Sequence, residues 1–236
     1  MSFLSTWFRS APILDEGIQA RLDRWHDLPE PSPRDGLEAA RFVVIDVETT
    51  GLDLQRSELL SVGLVPVTLA GIELGGLTEV VLHRESKKID KDNLVIHGIS
   101  PTESAAGVDR GEALTTVLEH IGKSWLVAFH ADFDRIILGR SLRKQLGIKL
   151  RNPFMDLAML LPGLYTEAGS GLRGLDDWLA HFAIPAPVRH RASADALVTA
   201  ELLLMALSEA RRRKLDDIRA LDRLAEAQAQ LHLMRH

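Results

Sequence analysis

A short run near residue 45 sets the strongest limit on how this chain can fold. Phe42-Val43-Val44-Ile45 is continuously apolar, which predicts a strand covered on both faces. The run then breaks its own rule. Asp46 and Glu48 follow two residues apart, so on a strand both carboxylates leave the same face. Two like charges at the end of a buried strand repel and resist the loss of water unless a cation sits between them. The alternative is a strand end whose acids are simply solvated. Thr49-Thr50-Gly51-Leu52 comes next, with hydroxyls, backbone N–H groups and a flexible turn suited to a phosphate or a sugar hydroxyl.

Around that strand the chain reads as α/β. Residues 59–67 and 77–83 have strand character and are linked through Gly71, Gly75 and Gly76 in a hairpin-like connection. Residues 109–121 carry Leu114, Val117, Leu118 and Ile121 on one helical face. A short buried strand is expected at 125–129, a helix at 132–146 stopped by Gly147, and a further strand at 150–155. Helices follow near 156–161, 175–182 and 193–207. Three successive strands and then alternating elements imply a mixed sheet with helices on both sides. Residues 1–40 stand apart as an N-terminal helical appendage. Ile18, Leu22 and Trp25 have helical spacing, and Pro29-Glu30-Pro31-Ser32-Pro33 ends that helix and stiffens a linker. Trp7, Phe8 and Trp25 need a surface to cover, and the main domain is the expected one. The last residues, from about 208 to 236, are charged and periodic and read as a helical tail.

Composition narrows the chemistry. There is no cysteine, so any metal must rest on oxygen and imidazole ligands. No apolar run approaches the roughly 18–20 residues that span a bilayer. The first residues lack the charged start and long apolar middle of a secretion signal, so cytoplasmic residence without a membrane is expected. The net charge of −5 argues against broad coating of nucleic acid, yet leaves room for a local basic groove.

Two further segments carry acids at informative places. The strand at 125–129 runs into His130-Ala131-Asp132-Phe133-Asp134, a strand-to-helix junction of the kind where α/β folds build sites. Asp132 and Asp134 could equally be first-turn residues that complement a helix dipole. In Arg189-His190-Arg191-Ala192-Ser193-Ala194-Asp195 a histidine precedes a helix and an acid falls in its first turn. There, too, Ser193 could be a cap and Asp195 a dipole partner. The three segments share one chemistry: acids from separate elements converging on divalent cations, with an imidazole to take a proton from water.

In this order the segments resemble the DEDD superfamily of 3′–5′ exonucleases, in its DnaQ-like, polymerase III epsilon-type branch. Asp46-Val47-Glu48-Thr49-Thr50-Gly51 resembles the first motif, Phe133-Asp134 the second, and His190 with Asp195 the His-x4-Asp third motif. Ile96-His97-Gly98-Ile99 resembles a segment that lies against substrate in this branch. The tyrosine variant is set aside, because the only tyrosine, Tyr165, lies thirty residues before Asp195. The resemblance covers about residues 41–207 and implies a ribonuclease H-like fold. It departs at His130, where the family usually has asparagine, and at Asp132, an added acid, and the two together are expected to alter metal or pH preference while the site is retained.

The resemblance implies that Asp46 bridges two cations, Mg²⁺ or Mn²⁺. Glu48 and Asp195 would complete the shell of one, and Asp134 would act directly or through a water. Two such ions activate and align water and stabilise charge on both reacting oxygens. His190 is the implied general base. Leu52 and Phe133 are placed near the terminal base, Thr49, Thr50 and Gly51 near the nucleotide, and His97 near substrate; Leu52 and Phe133 could instead be core. Arg189 and Arg191 would meet phosphate or stand solvated. The expected substrate is a 3′ end of DNA, single-stranded or mismatched. RNA trimming and a non-catalytic nucleic-acid- or partner-binding module are the alternatives. Gln230-Leu231-His232-Leu233-Met234 loosely resembles a peptide that holds the bacterial sliding clamp, against a plain reading as a frayed helix end. A replicative polymerase is the other possible partner.

Overall fold

A computed structural model describes residues 12–84, 99–168 and 171–234. In chain order the helices are α1 (Glu16–His26), α2 (Pro101–Ala105), α3 (Arg110–Ile121), α4 (Asp132–Leu146), α5 (Leu157–Leu164), α6 (Leu175–His181), α7 (Ala192–Arg212) and α8 (Ile218–Met234). The acid-bearing strand is β1 (Phe42–Thr49), at the centre of one mixed sheet. Antiparallel β2 (Leu59–Thr68) lies on one side; β3 (Gly71–Ile72) and β4 (Thr78–Val81) pair with opposite ends of its far edge. On the other side lie β5 (Trp125–Ala128) and β6 (Phe154–Asp156), both parallel to β1.

The alternation of β1 sorts the molecule into layers. Val43, Ile45 and Val47 pack with α1, α3 and α4. Phe42 and Val44 pack with α5, α6, α7 and α8. A strand covered on both faces must be apolar at consecutive positions, which is why this one reads as an unbroken run. By the same alternation Asp46 and Glu48 emerge on the α7 side.

Among the described residues, the helices nearest both chain ends are docked. Trp25 of α1 is buried, donates from its indole nitrogen to the Gly122 carbonyl at 2.9 Å, and lies under Lys123 Nζ, 3.7 Å from the ring centroid. Trp7 and Phe8 lie outside the described residues. At the other end α7 runs on to Arg212, the chain turns, and α8 folds back to bury Ile218, Leu221 and Ala225. What reads as a tail is a packed helix: Leu224 sits so close over Gly163 of α5 that a Cβ there would meet its Cγ at 2.7 Å. The strand expected at 150–155 is shorter and later. Pro153 has no N–H to give a ladder, so pairing starts at Phe154, while Asn152 instead donates to the carbonyls of Gly122 and Ser124. Among the described residues no helix is long and apolar enough to cross a membrane.

Candidate metal and active site

Four elements meet where β1 ends. Opposite Asp46 in the β1–β2 register stands Gly63. A Cβ at Gly63 would lie 2.1 Å from the Ala192 carbonyl oxygen and 2.2 Å from its carbon. The absent side chain therefore lets the first turn of α7 press onto the sheet beside Asp46. That approach delivers Asp195, and one oxygen each of Asp46, Glu48 and Asp195 lie within 4.8 Å of one another. Asp134 arrives from the other layer, in the first turn of α4, where it is buried and its Oδ1 accepts the Val47 N–H at 3.0 Å.

This cluster is short of positive charge. Burial first, then the neighbouring charges of Asp134, Asp195 and Glu48, hold the Asp46 carboxyl well above the usual range. Glu48 is pushed up to about 8 by burial and by Asp195, Glu79 and Asp134. Burial also raises Asp134 and Asp195, the latter despite the Arg189 guanidinium on its Oδ1. An all-oxygen set that holds protons for want of a counter-charge is the donor chemistry that a hard divalent cation fits.

The loop before α7 is fixed on both sides of His190. Arg189 joins Asp195 to Asp176, with its Nε 2.9 Å from Asp176 Oδ1. Arg191 reaches Glu79 of β4 at 2.9 Å and Glu103 of α2 at 2.6 Å, and Ser193 Oγ donates to the same Glu79 oxygen at 2.7 Å. Both arginines are thus engaged by carboxylates rather than solvated. His190 between them is exposed, has φ 61°, and donates its backbone N–H to Asp195 Oδ2 at 3.0 Å.

The turn after β1 is held by its own hydroxyls. Thr49 Oγ1 donates to the Gly51 carbonyl at 2.6 Å, and Thr50 Oγ1 accepts the Glu58 N–H at 2.9 Å. Leu52 is 87% exposed at the tip, whereas Phe133 is half-buried against the α3–α4 layer. Asp132 does not join the acids: it points to solvent and pairs with Arg135 at 2.8 Å. His97 lies outside the described residues. Sequence reasoning missed Gly63, Glu79 and Asp156. Gly63 carried a signal, since a glycine inside a strand often marks a close backbone approach.

The strand order and directions, with helices on both faces, define a ribonuclease H-like α/β fold. E. coli exonuclease I in complex with a dT13 oligonucleotide shares it, with a TM-score of 0.62 at 15% identity over 73% of this chain and 42% of that one. Residues 43–203 match the model of the RNase T exonuclease family, and the chain belongs to that family, in its DnaQ-like, polymerase III epsilon-type branch. It is 31% identical over 172 residues to the PolC-type DNA polymerase III of Thermotoga petrophila, covering 71% of this chain and 12% of the relative. It is 27% identical over 186 residues to the DNA polymerase III epsilon subunit of Aquifex aeolicus, covering 75% of this chain and 85% of the relative.

Proposed function

We propose that this protein is a metal-dependent 3′–5′ exonuclease that releases nucleoside 5′-monophosphates from single-stranded or mismatched 3′ ends of DNA. The observation that carries the reading is the meeting of Asp46, Glu48 and Asp195 within 4.8 Å at the end of the central strand. These three residues would hold Mg²⁺ or Mn²⁺, with Asp134 adjoining. Bound there, such ions supply positive charge against the phosphodiester and make water a stronger acid. His190 takes the proton of the attacking water from its exposed position at the rim. The water oxygen bonds to phosphorus, the bond to the 3′ oxygen breaks, and that oxygen leaves with a proton from solvent.

Exposed Leu52 offers an apolar surface to the terminal base, Phe133 is its proposed second apolar contact, and Thr49, Thr50 and Gly51 set the turn. His97 keeps its proposed place against substrate. We assign the exonuclease domain to 41–207, with 1–40 and 208–236 as extensions. The polymerase III names of the relatives favour a replicative polymerase as partner. The clamp-like Gln230–Met234 segment forms the last turn of α8, so a clamp contact there would have to read helical residues. Digestion of a 5′-labelled single-stranded DNA oligonucleotide tests the reading. With Mg²⁺ or Mn²⁺ it shortens one nucleotide at a time from the 3′ end, and chelation or Asp46→Ala stops it. Asp46→Ala digestion at the wild-type rate would falsify the assignment, and faster cutting of matched RNA would move it to RNA.

A further inference from the structure

Residues 135–151 hold six of the chain's 28 Lys and Arg and none of its 33 Asp and Glu. The fold turns that segregation into a surface. A groove of about 1050 Å³ on one side of α4 has Arg56, Arg110, Arg140, Arg143 and Lys144 in its lining against a single acid, Glu58. A second, of about 430 Å³, lies on the other side, and shares Arg140 and Arg143 while adding Lys149 and Arg151. Arg140 is committed to structure, donating to the carbonyls of Leu54 and Ser57 and so pinning the turn that carries Leu52. Among the described residues Arg143, Lys144, Lys149 and Arg151 make no ion pair or side-chain hydrogen bond, and all four are exposed.

Four unpaired cations gathered about α4 in a chain with net charge −5 call for an anionic partner, and the position of α4 says which. Its first turn carries Asp134 at the acidic cluster, and its fifteen residues extend about 22 Å from there. A polyanion that reaches the acids must be held by positive charge elsewhere, because the acidic cluster offers it little of its own. We infer that the far half of α4 and the 149–151 turn bind the sugar-phosphate backbone of the strand upstream of its 3′ end. The inference rests on the nuclease reading for the direction of the strand, and on charge and geometry for the contact.

Fluorescence anisotropy of a labelled single-stranded 20-mer in EDTA, over a range of salt, tests it without catalysis. Arg143→Glu/Lys144→Glu and Lys149→Glu/Arg151→Glu should each weaken binding about tenfold or more at low salt. Each pair should also lower the slope of log K against log salt by about 1.4, at roughly 0.7 per phosphate contact on a single strand. The charge-matched Arg211→Glu/Arg219→Glu, at the far end of α7 and the start of α8, should bind like the wild type. Equal affinities and slopes for all three pairs would overturn the inference and point to an acidic protein surface instead. Wild-type protein that binds through this face but digests no oligonucleotide with Mn²⁺ would sink the nuclease reading and leave the binding face standing.

Discussion

Two histidines of this protein sit in the same unusual local arrangement and lead to different ends. His130 and His190 both have φ 61°, in the left-handed region that histidine enters more readily than most residues. Each follows a buried or anchored segment, and each donates its backbone N–H at 3.0 Å to an aspartate at the start of a later helix. For His130 the partner is Asp156, whose Oδ1 also caps α5 through the Ala158 N–H at 2.9 Å. For His190 the partner is Asp195, whose oxygens lie within reach of Asp46 and Glu48 and of Arg189. The backbone device is one and the same, and it is the company of the carboxylate that separates a brace from the proposed reaction centre.

The comparison breaks most readily at His190. His190→Ala should lower kcat by about 10²–10⁴-fold on a single-stranded oligonucleotide without moving the melting temperature by more than a few degrees. A wild-type rate for His190→Ala would remove the imidazole from the reaction. Asp156→Ala should do the opposite, leaving turnover near wild type while destabilising the fold by about 1–3 kcal/mol, because two backbone donors lose their acceptor. Denaturant unfolding beside a rate measurement separates the two outcomes.

The acids around Asp195 add a pH signature. Asp46, Glu48, Asp134 and Asp195 all have folded-state pKa values above those of an unfolded chain, with Glu48 at about 8. Between the ordinary carboxylate range and that value the folded protein holds protons that the unfolded chain has released. The stability they contribute is therefore present at low pH and lost as pH rises toward about 8. Metal-free protein should melt at a lower temperature at pH 8 than at pH 5, and Mn²⁺ should restore most of the difference at pH 8. A melting temperature that Mn²⁺ leaves unmoved would count against a cation among these groups. The smallest effect belongs to His130→Asn. Asparagine also tolerates the left-handed region, so stability should stay within about 0.5 kcal/mol and the rate should not change.

Much of this was legible in the sequence, and the reason is local. β1, β2 and α4 announce themselves through apolar runs and stop residues within a few positions of one another. The structure extends α7 to Arg212 and starts β6 only after Pro153, because helix ends and edge strands are decided by what they pack on. The relation between elements was not legible. Nothing in the spacing of Asp46 and Asp195 says that a glycine on the neighbouring strand lets one helix sink to meet the other acid. Nor does Arg191 announce that its partners are Glu79 and Glu103, 112 and 88 positions away. The basic run at 135–151 was visible, but overall net charge concealed it until the fold gathered it beside α4.

The shared pocket is tested most directly by Mn²⁺ binding followed by electron paramagnetic resonance, with no substrate and no turnover. Wild-type protein and Asp156→Ala should take up Mn²⁺ alike, while Asp195→Ala loses most of it, although Asp195 is 149 positions from Asp46 in the chain. Undiminished Mn²⁺ uptake by Asp195→Ala would contradict the account, since β1 and α7 would then not be holding the same ions.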